Sequence, residues 1–165
     1  VRDGNRVLYI YAIESPQRLL ARSAVGDHAP LYCTSVGKAI LAHLPPDEAY
    51  SLYCDPDVPL EAFTPYTITD RERLEQDLLA TRARGYSVDN QEHEEQTFCV
   101  GAPIFNGQRT VIGACSISGR DPQIVQSRLP ALSTNIVRTA QEISRRMGYV
   151  PDRMSSVRQV FIGRA

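Results

Sequence analysis

The spacing of apolar residues divides the chain into short strands and helices. Leu8, Ile10 and Ala12 alternate with Tyr9, Tyr11 and Ile13, so VLYIYAIE is apolar on both faces and predicts a central strand. The turn Ser15-Pro16-Gln17 joins it to a second strand, RLLARS, and Gly26 to Pro30 reads as a loop. Val36, Ile40 and Leu44 then recur every four residues, which predicts a helix over Ser35 to Leu44. Thr34 or Ser35 supplies its N-cap oxygen and Pro45 stops it. Pro46-Asp47-Glu48 opens another helix that fades by Cys54-Asp55-Pro56, and Asp55 to Tyr66 is loop. Thr69 to Arg84 is the best-marked helix. Thr69 and Glu72 have capping-box spacing, Leu74, Leu78 and Thr81 share a face, and Gly85 ends it.

Strand patterns return at Tyr86 to Gln91, Phe98 to Phe105 and Thr110 to Ser118, the last two joined by a turn with Asn106-Gly107. Glu92-His93-Glu94-Glu95 reads as an acidic surface loop. Gln123 to Met147 is helical with an interruption near Pro130, and Leu132, Ile136, Ala140, Ile143 and Met147 form its apolar stripe. Gly148 caps it. Residues 149–165, with Arg153, Arg158 and Arg164, read as a tail. The order of elements predicts an α+β fold, an antiparallel sheet with helices packed on it.

Composition narrows the function. Of 165 residues, 18 are Lys or Arg and 19 Asp or Glu, a net charge of −1. That balance argues against autonomous nucleic-acid binding, which needs a basic face. The hydrophobic fraction of 42% and charged fraction of 22% indicate a globular chain rather than a disordered one. No apolar run approaches the roughly 20 residues that span a bilayer, and VRDGNRVLYI is not a signal peptide, so a cytoplasmic chain is expected. Cys33, Cys54, Cys99 and Cys115 form no CxxC pair and are expected as reduced thiols. Because the first residue is Val1, the chain is expected to be a fragment of a longer polypeptide.

Ser35-Val36-Gly37-Lys38-Ala39 is not a phosphate loop, because Tyr32 stands where the first glycine belongs and Ala39 where a hydroxyl belongs. What survives is a small-residue turn into a helix, either an ordinary capped start or a place where free amides receive an anion. His28, His43 and His93 share no metal-ligand spacing, and His93-Glu94-Glu95 reads as a solvated turn before a cation site. Cys99 with Asp89 is conceivable as a nucleophile, yet no motif brings a base to it.

The strand faces say more. Over Thr110 to Ser118, Val111, Gly113, Cys115 and Ile117 share one face, and Ile112, Ala114, Ser116 and Ser118 the other. Cys99 and Gly101 share a face of the preceding strand, and Asp89 sits mid-strand, where a carboxylate needs a partner. Two readings fit: an edge strand wetted by solvent, or a pocket with a few convergent polar groups.

The strings TSVGKAILAHLPPDEA, TPYTITD, RARGYSVDNQE, CVGAPIFNGQ and IGACSISG occur in that order. Together they resemble the effector-binding domain of the IclR-type bacterial transcriptional regulators, over about Val7 to Gly148. The resemblance implies a GAF-like domain over residues 1–148, followed by a tail at 149–165. It implies a winged helix-turn-helix domain upstream, outside this fragment, through which alone DNA is bound. A homodimer or homotetramer, a small organic acid as effector, and no cofactor, metal, membrane or catalytic role are expected with it. Carried over by position, the pocket comprises Ser35, Val36, Gly37, Asp89, Cys99, Ser116 and Ser118, with the Ser35–Gly37 amides holding a carboxylate. Many members carry a smaller residue before Gly37, so Val36 is expected to narrow the pocket. Against this effector-sensing reading stand a Cys99-dependent hydrolase and a ligand-free dimerisation module.

Overall fold

A computed structural model describes residues 1–13, 25–53 and 60–151. The predicted strand RLLARS with its Ser15-Pro16-Gln17 turn, Cys54, and the tail beyond Pro151 lie outside the described residues. Among those described, two antiparallel three-stranded sheets form, ordered β1-β2-β3 and β4-β5-β6. The first comprises β1 (Arg2–Asp3), β2 (Arg6–Leu8) and β3 (His28–Pro30), and the second β4 (Ser87–Asn90), β5 (Phe98–Phe105) and β6 (Val111–Gly119). The helices are α1 (Ser35–Leu41), α2 (Pro46–Tyr53), α3 (Arg71–Arg84) and α4 (Leu129–Arg146). The expected α+β class is the one observed. No helix among the described residues is long and apolar enough to cross a membrane.

The second sheet has a core on each face. Phe98, Val100 and Ala102 of β5 pack with Ile136 and Ala140 of α4. On the opposite face, Val36, Ile40 and Leu41 of α1 pack with Leu74 and Leu78 of α3 and with Val111. Period-2 alternation on β5 sends even-numbered residues to α4 and odd-numbered ones to α1. That division creates the site.

Several expectations are corrected. The strand predicted from Val7 is central in the first sheet, between β1 and β3, but shorter than expected: β2 ends at Leu8, and Ile10, Tyr11 and Ile13 are exposed. The loop expected at Gly26 to Pro30 contains β3, which pairs with β2 through Leu8↔His28. The cap of α3 is Asp70, whose carboxylate accepts from Arg73 N–H at 2.9 Å, rather than Thr69. At the far end Gly85 adopts φ 80°, a left-handed turn that suits a residue without a side chain. A register shift at Ile104/Phe105 leaves Ile112 as an extra residue, so Val111 turns to the α1 face instead of joining Cys115 and Ile117. The buried line of α4 is Ser133, Ile136, Ala140 and Ser144, while Met147 is exposed. Pro130 lies in the first turn of α4, where its missing N–H costs no helix bond.

Candidate functional site

The α1 face of the sheet presents two rows of residues across its three strands. Asp89, Cys99 and Ser118 are successive cross-strand partners, and Ser87, Gly101 and Ser116 form the next row. Gly101 leaves that second row open to α1. Ser87 Oγ then donates to the Ser35 carbonyl at 2.5 Å, tying the start of the helix to the sheet.

Thr34 shapes the helix start. Its hydroxyl accepts from Gly37 N–H at 3.1 Å and donates to the Pro30 carbonyl at 2.8 Å. Of the predicted residues, Ser35, Asp89, Cys99, Ser116 and Ser118 all border one cavity of about 50 Å³. Val36 does not narrow it, because its side chain packs into the core with Ile40 and Leu41. Gly37 lies beneath Leu31, whose carbonyl oxygen would be 2.2 Å from a Cβ there, and its amide is taken by the cap.

Sequence reasoning missed Tyr9, His28, Thr34, His93, Glu94 and Thr97, which with Ala29 complete the cavity wall. Two of these are histidines set aside for want of metal-ligand spacing. No periodic signal marks the others. The Thr97 hydroxyl is buried with no hydrogen-bond partner among the described residues.

The expected acidic surface loop is half wrong. Glu92 is buried, and its Oε1 meets Lys38 Nζ at 2.6 Å. Lys38, 1% exposed although it sits on α1, also pairs with Asp77 of α3 at 2.8 Å. The hydroxyls of Thr64 and Thr67 donate to the Gln91 carbonyl at 2.6 Å and the Glu92 carbonyl at 2.5 Å. The turn after β4 is thus fastened from two sides, and Lys38 is spent on holding the fold.

Asp89 finds the partner its mid-strand place demanded. Its Oδ1 accepts from Glu92 N–H at 2.8 Å. Burial, and then the nearby Glu92 charge, still push its carboxyl up to about 7. The cavity therefore carries a carboxyl that exchanges its proton close to neutral pH. Burial and Asp89 also push the Cys99 thiol well up, and Ser118 and Ser35 lie within its hydrogen-bonding reach. None of these groups is the cation that a reactive thiolate requires. Cys33 and Cys99 are buried free thiols, and Cys115 is half-buried and free.

Residues 1–145 match the family described as "Bacterial transcriptional regulator IclR C-terminal". The chain belongs to that family. The IclR-type domain is 36% identical over 149 residues to the HTH-type transcriptional regulator KipR of Bacillus subtilis (strain 168), covering 90% of this chain and 59% of KipR. It therefore spans about three fifths of that relative's length. The crystal structure of the Thermotoga maritima IclR superposes with a TM-score of 0.84 at 36% identity, over 90% of this chain and 59% of that one. A double mutant of the PobR inducer-binding domain from Acinetobacter, in complex with 3-hydroxybenzoic acid, superposes with a TM-score of 0.72 at 27% identity, over 87% and 84%. The fold is accordingly the GAF-like α+β domain that the resemblance implied.

Proposed function

We propose that this domain is the small-molecule sensor of a transcriptional regulator, and that the cavity beside Ser35 takes a small organic acid. One observation carries the reading: polar side chains from α1, β4, β5 and β6 converge on a single cavity behind the packed helix, and one of its hydroxyls, Thr97 Oγ1, has no partner among the described residues. The hydroxyls of Ser35, Ser116 and Ser118 supply donors for carboxylate oxygens. With Gly37 N–H committed to Thr34, the first-turn amides of Ser35 and Val36 are those left to an anion. A protonated Asp89 donates where an ionised one would repel, so the acid binds together with a proton. The inducer-binding domain of PobR, a structural neighbour, is seen with a hydroxylated acid.

Size selects within this class. A water needs roughly 10–15 Å³ of such space, so about 50 Å³ accommodates about four non-hydrogen groups. That favours a two-carbon aliphatic acid over a benzoate. An acid bridging α1 to the sheet stabilises one arrangement of these elements, and its differential affinity shifts the equilibrium between subunit arrangements. DNA is read by a winged helix-turn-helix domain on the same polypeptide, outside this chain.

Thermal-shift screening of carboxylates tests the proposal. At about one hundred times its dissociation constant, a ligand stabilises the native state by about 2.7 kcal/mol. Two-carbon aliphatic acids should raise Tm, and benzoates should not. A panel in which no carboxylate moves Tm at millimolar concentration contradicts the reading.

A further inference from the structure

A second cavity lies on another part of β5. Pairing with β4 stops at Ser87↔Gly101, so Ala102–Phe105 have no strand on that side among the described residues. The chain is adapted to this open edge. Pro103 has no N–H to leave unpaired, and Phe105 N–H donates to Ser144 Oγ of α4 at 3.0 Å. The space left beside the edge is a cavity of about 270 Å³, more than five times the volume of the one beside Ser35.

Its lining has a distinct chemistry. Ala102, Pro103, Val137 and Ala140 are apolar wall. The rings of Phe105 and Tyr149 stack at 5.2 Å and 27°, and His43 meets Phe105 edge-on at 5.3 Å and 79°. His43 Nδ1 lies 2.9 Å from the Ala39 carbonyl, which can only accept, so Nδ1 carries the proton. Burial, reinforced by the charge of Arg82, holds the ring below the ordinary histidine range, so it is neutral at pH 7 and Nε2 is an acceptor. Arg145 at the rim pairs with Glu142 at 2.6 Å.

We propose that this cavity is a second ligand site, separate from the Ser35 cavity, that takes a neutral single-ring aromatic molecule bearing one hydrogen-bond donor, such as a phenol. The ring lies among Phe105, Tyr149 and Val137, and the hydroxyl donates to His43 Nε2. A cavity of roughly 150 Å³ already suffices for one benzene ring. The site requires nothing of the acid-sensing reading and stands without it.

Fluorine and heteronuclear NMR on the full chain, with 4-fluorophenol and fluorobenzene as probes, tests the assignment. 4-Fluorophenol should bind with shift changes centred on Phe105, Val137 and Tyr149 and none at Asp89 or Ser116. His43→Phe should weaken 4-fluorophenol by roughly 2- to 13-fold, the value of one hydrogen bond, and leave fluorobenzene unchanged. Gln141→Trp, at an exposed rim position, should close the mouth without touching the core and weaken both probes about tenfold or more. Absence of binding, shifts centred on Cys99 and Ser116, or unchanged affinity in Gln141→Trp would each overturn the proposal.

Discussion

Gly101 and Ser35 touch backbone to backbone. A Cβ on Gly101 would lie 2.9 Å from both the carbonyl carbon and the carbonyl oxygen of Ser35, and 3.0 Å from Ser87 Oγ. Real Cβ atoms do not come this close to backbone, so the start of α1 rests on the sheet only because position 101 has no side chain. The same contact brings Ser35 to the cavity whose floor holds Cys99.

Gly101→Ala should therefore lift α1 from β5. Overpacking of this kind costs about 1–3 kcal/mol, and urea denaturation should report a lowered midpoint. Ligand affinity should fall with it, since Ser35 moves with the helix.

The buried pair of Lys38 and Glu92, with half-buried Asp77 on the other side of the lysine, predicts a larger loss. Lys38→Met leaves Glu92 facing Asp77 with no cation between them, and removal of one partner from a buried pair costs about 3–5 kcal/mol. Adding Glu92→Leu should recover part of that loss, because the uncompensated buried charge disappears. Chemical denaturation of the single and double variants gives both numbers.

Asp89 makes stability depend on pH. Its folded pKa of about 7 stands above the ordinary aspartate value of 3.8, so the native state binds more protons than the unfolded chain in between. The stabilising contribution is complete below about pH 4, declines as pH rises towards 7, and is absent above. Asp89→Asn keeps an oxygen for Glu92 N–H and cannot ionise. It should flatten this decline and gain on the order of a few kcal/mol relative to wild type at pH 8, measured by denaturation across pH 4–8.

These features differ in how far the chain alone reveals them. Strand alternation is local, so the pattern alone places Cys99 with Gly101 on one face of β5 and Ser116 with Ser118 on one face of β6, and the register then brings the two pairs together. A single extra residue, Ile112, inverts that pattern and misplaces Val111. The β2 region misleads because Ile10, Tyr11 and Ile13 satisfy the pattern of a buried strand while remaining exposed. Lys38 and Glu92 are 54 positions apart, and each alone resembles a solvated charge. Their burial follows from how α1, α3 and the turn after β4 meet, which no local pattern encodes. His28, His93 and Thr97 reach the cavity wall for the same reason, from segments whose sequence marks no site.

Cys99 should be chemically quiet. Burial and Asp89 hold its thiol neutral, so alkylation by iodoacetamide at pH 8 should proceed at least about tenfold more slowly in the native protein than in urea. Mass spectrometry of the Cys99 peptide measures this. Cys99→Ser should fold normally and alter ligand affinity.

The pair Ser116 and Ser118 tests the acid site most directly. Both stand on the α1 face of β6, beside the cavity rather than in the core, so replacing both with alanine should cost little stability. Each hydrogen bond to a neutral partner contributes about 0.5–1.5 kcal/mol and each to a charged one about 1.5–3. Calorimetry of Ser116→Ala/Ser118→Ala with the strongest carboxylate from the thermal-shift panel should show binding weakened at least about fivefold, and roughly a hundredfold or more where both bonds go to a charged carboxylate. Unchanged affinity in a folded double variant would contradict the account, because the acid would then bind somewhere other than beside these hydroxyls.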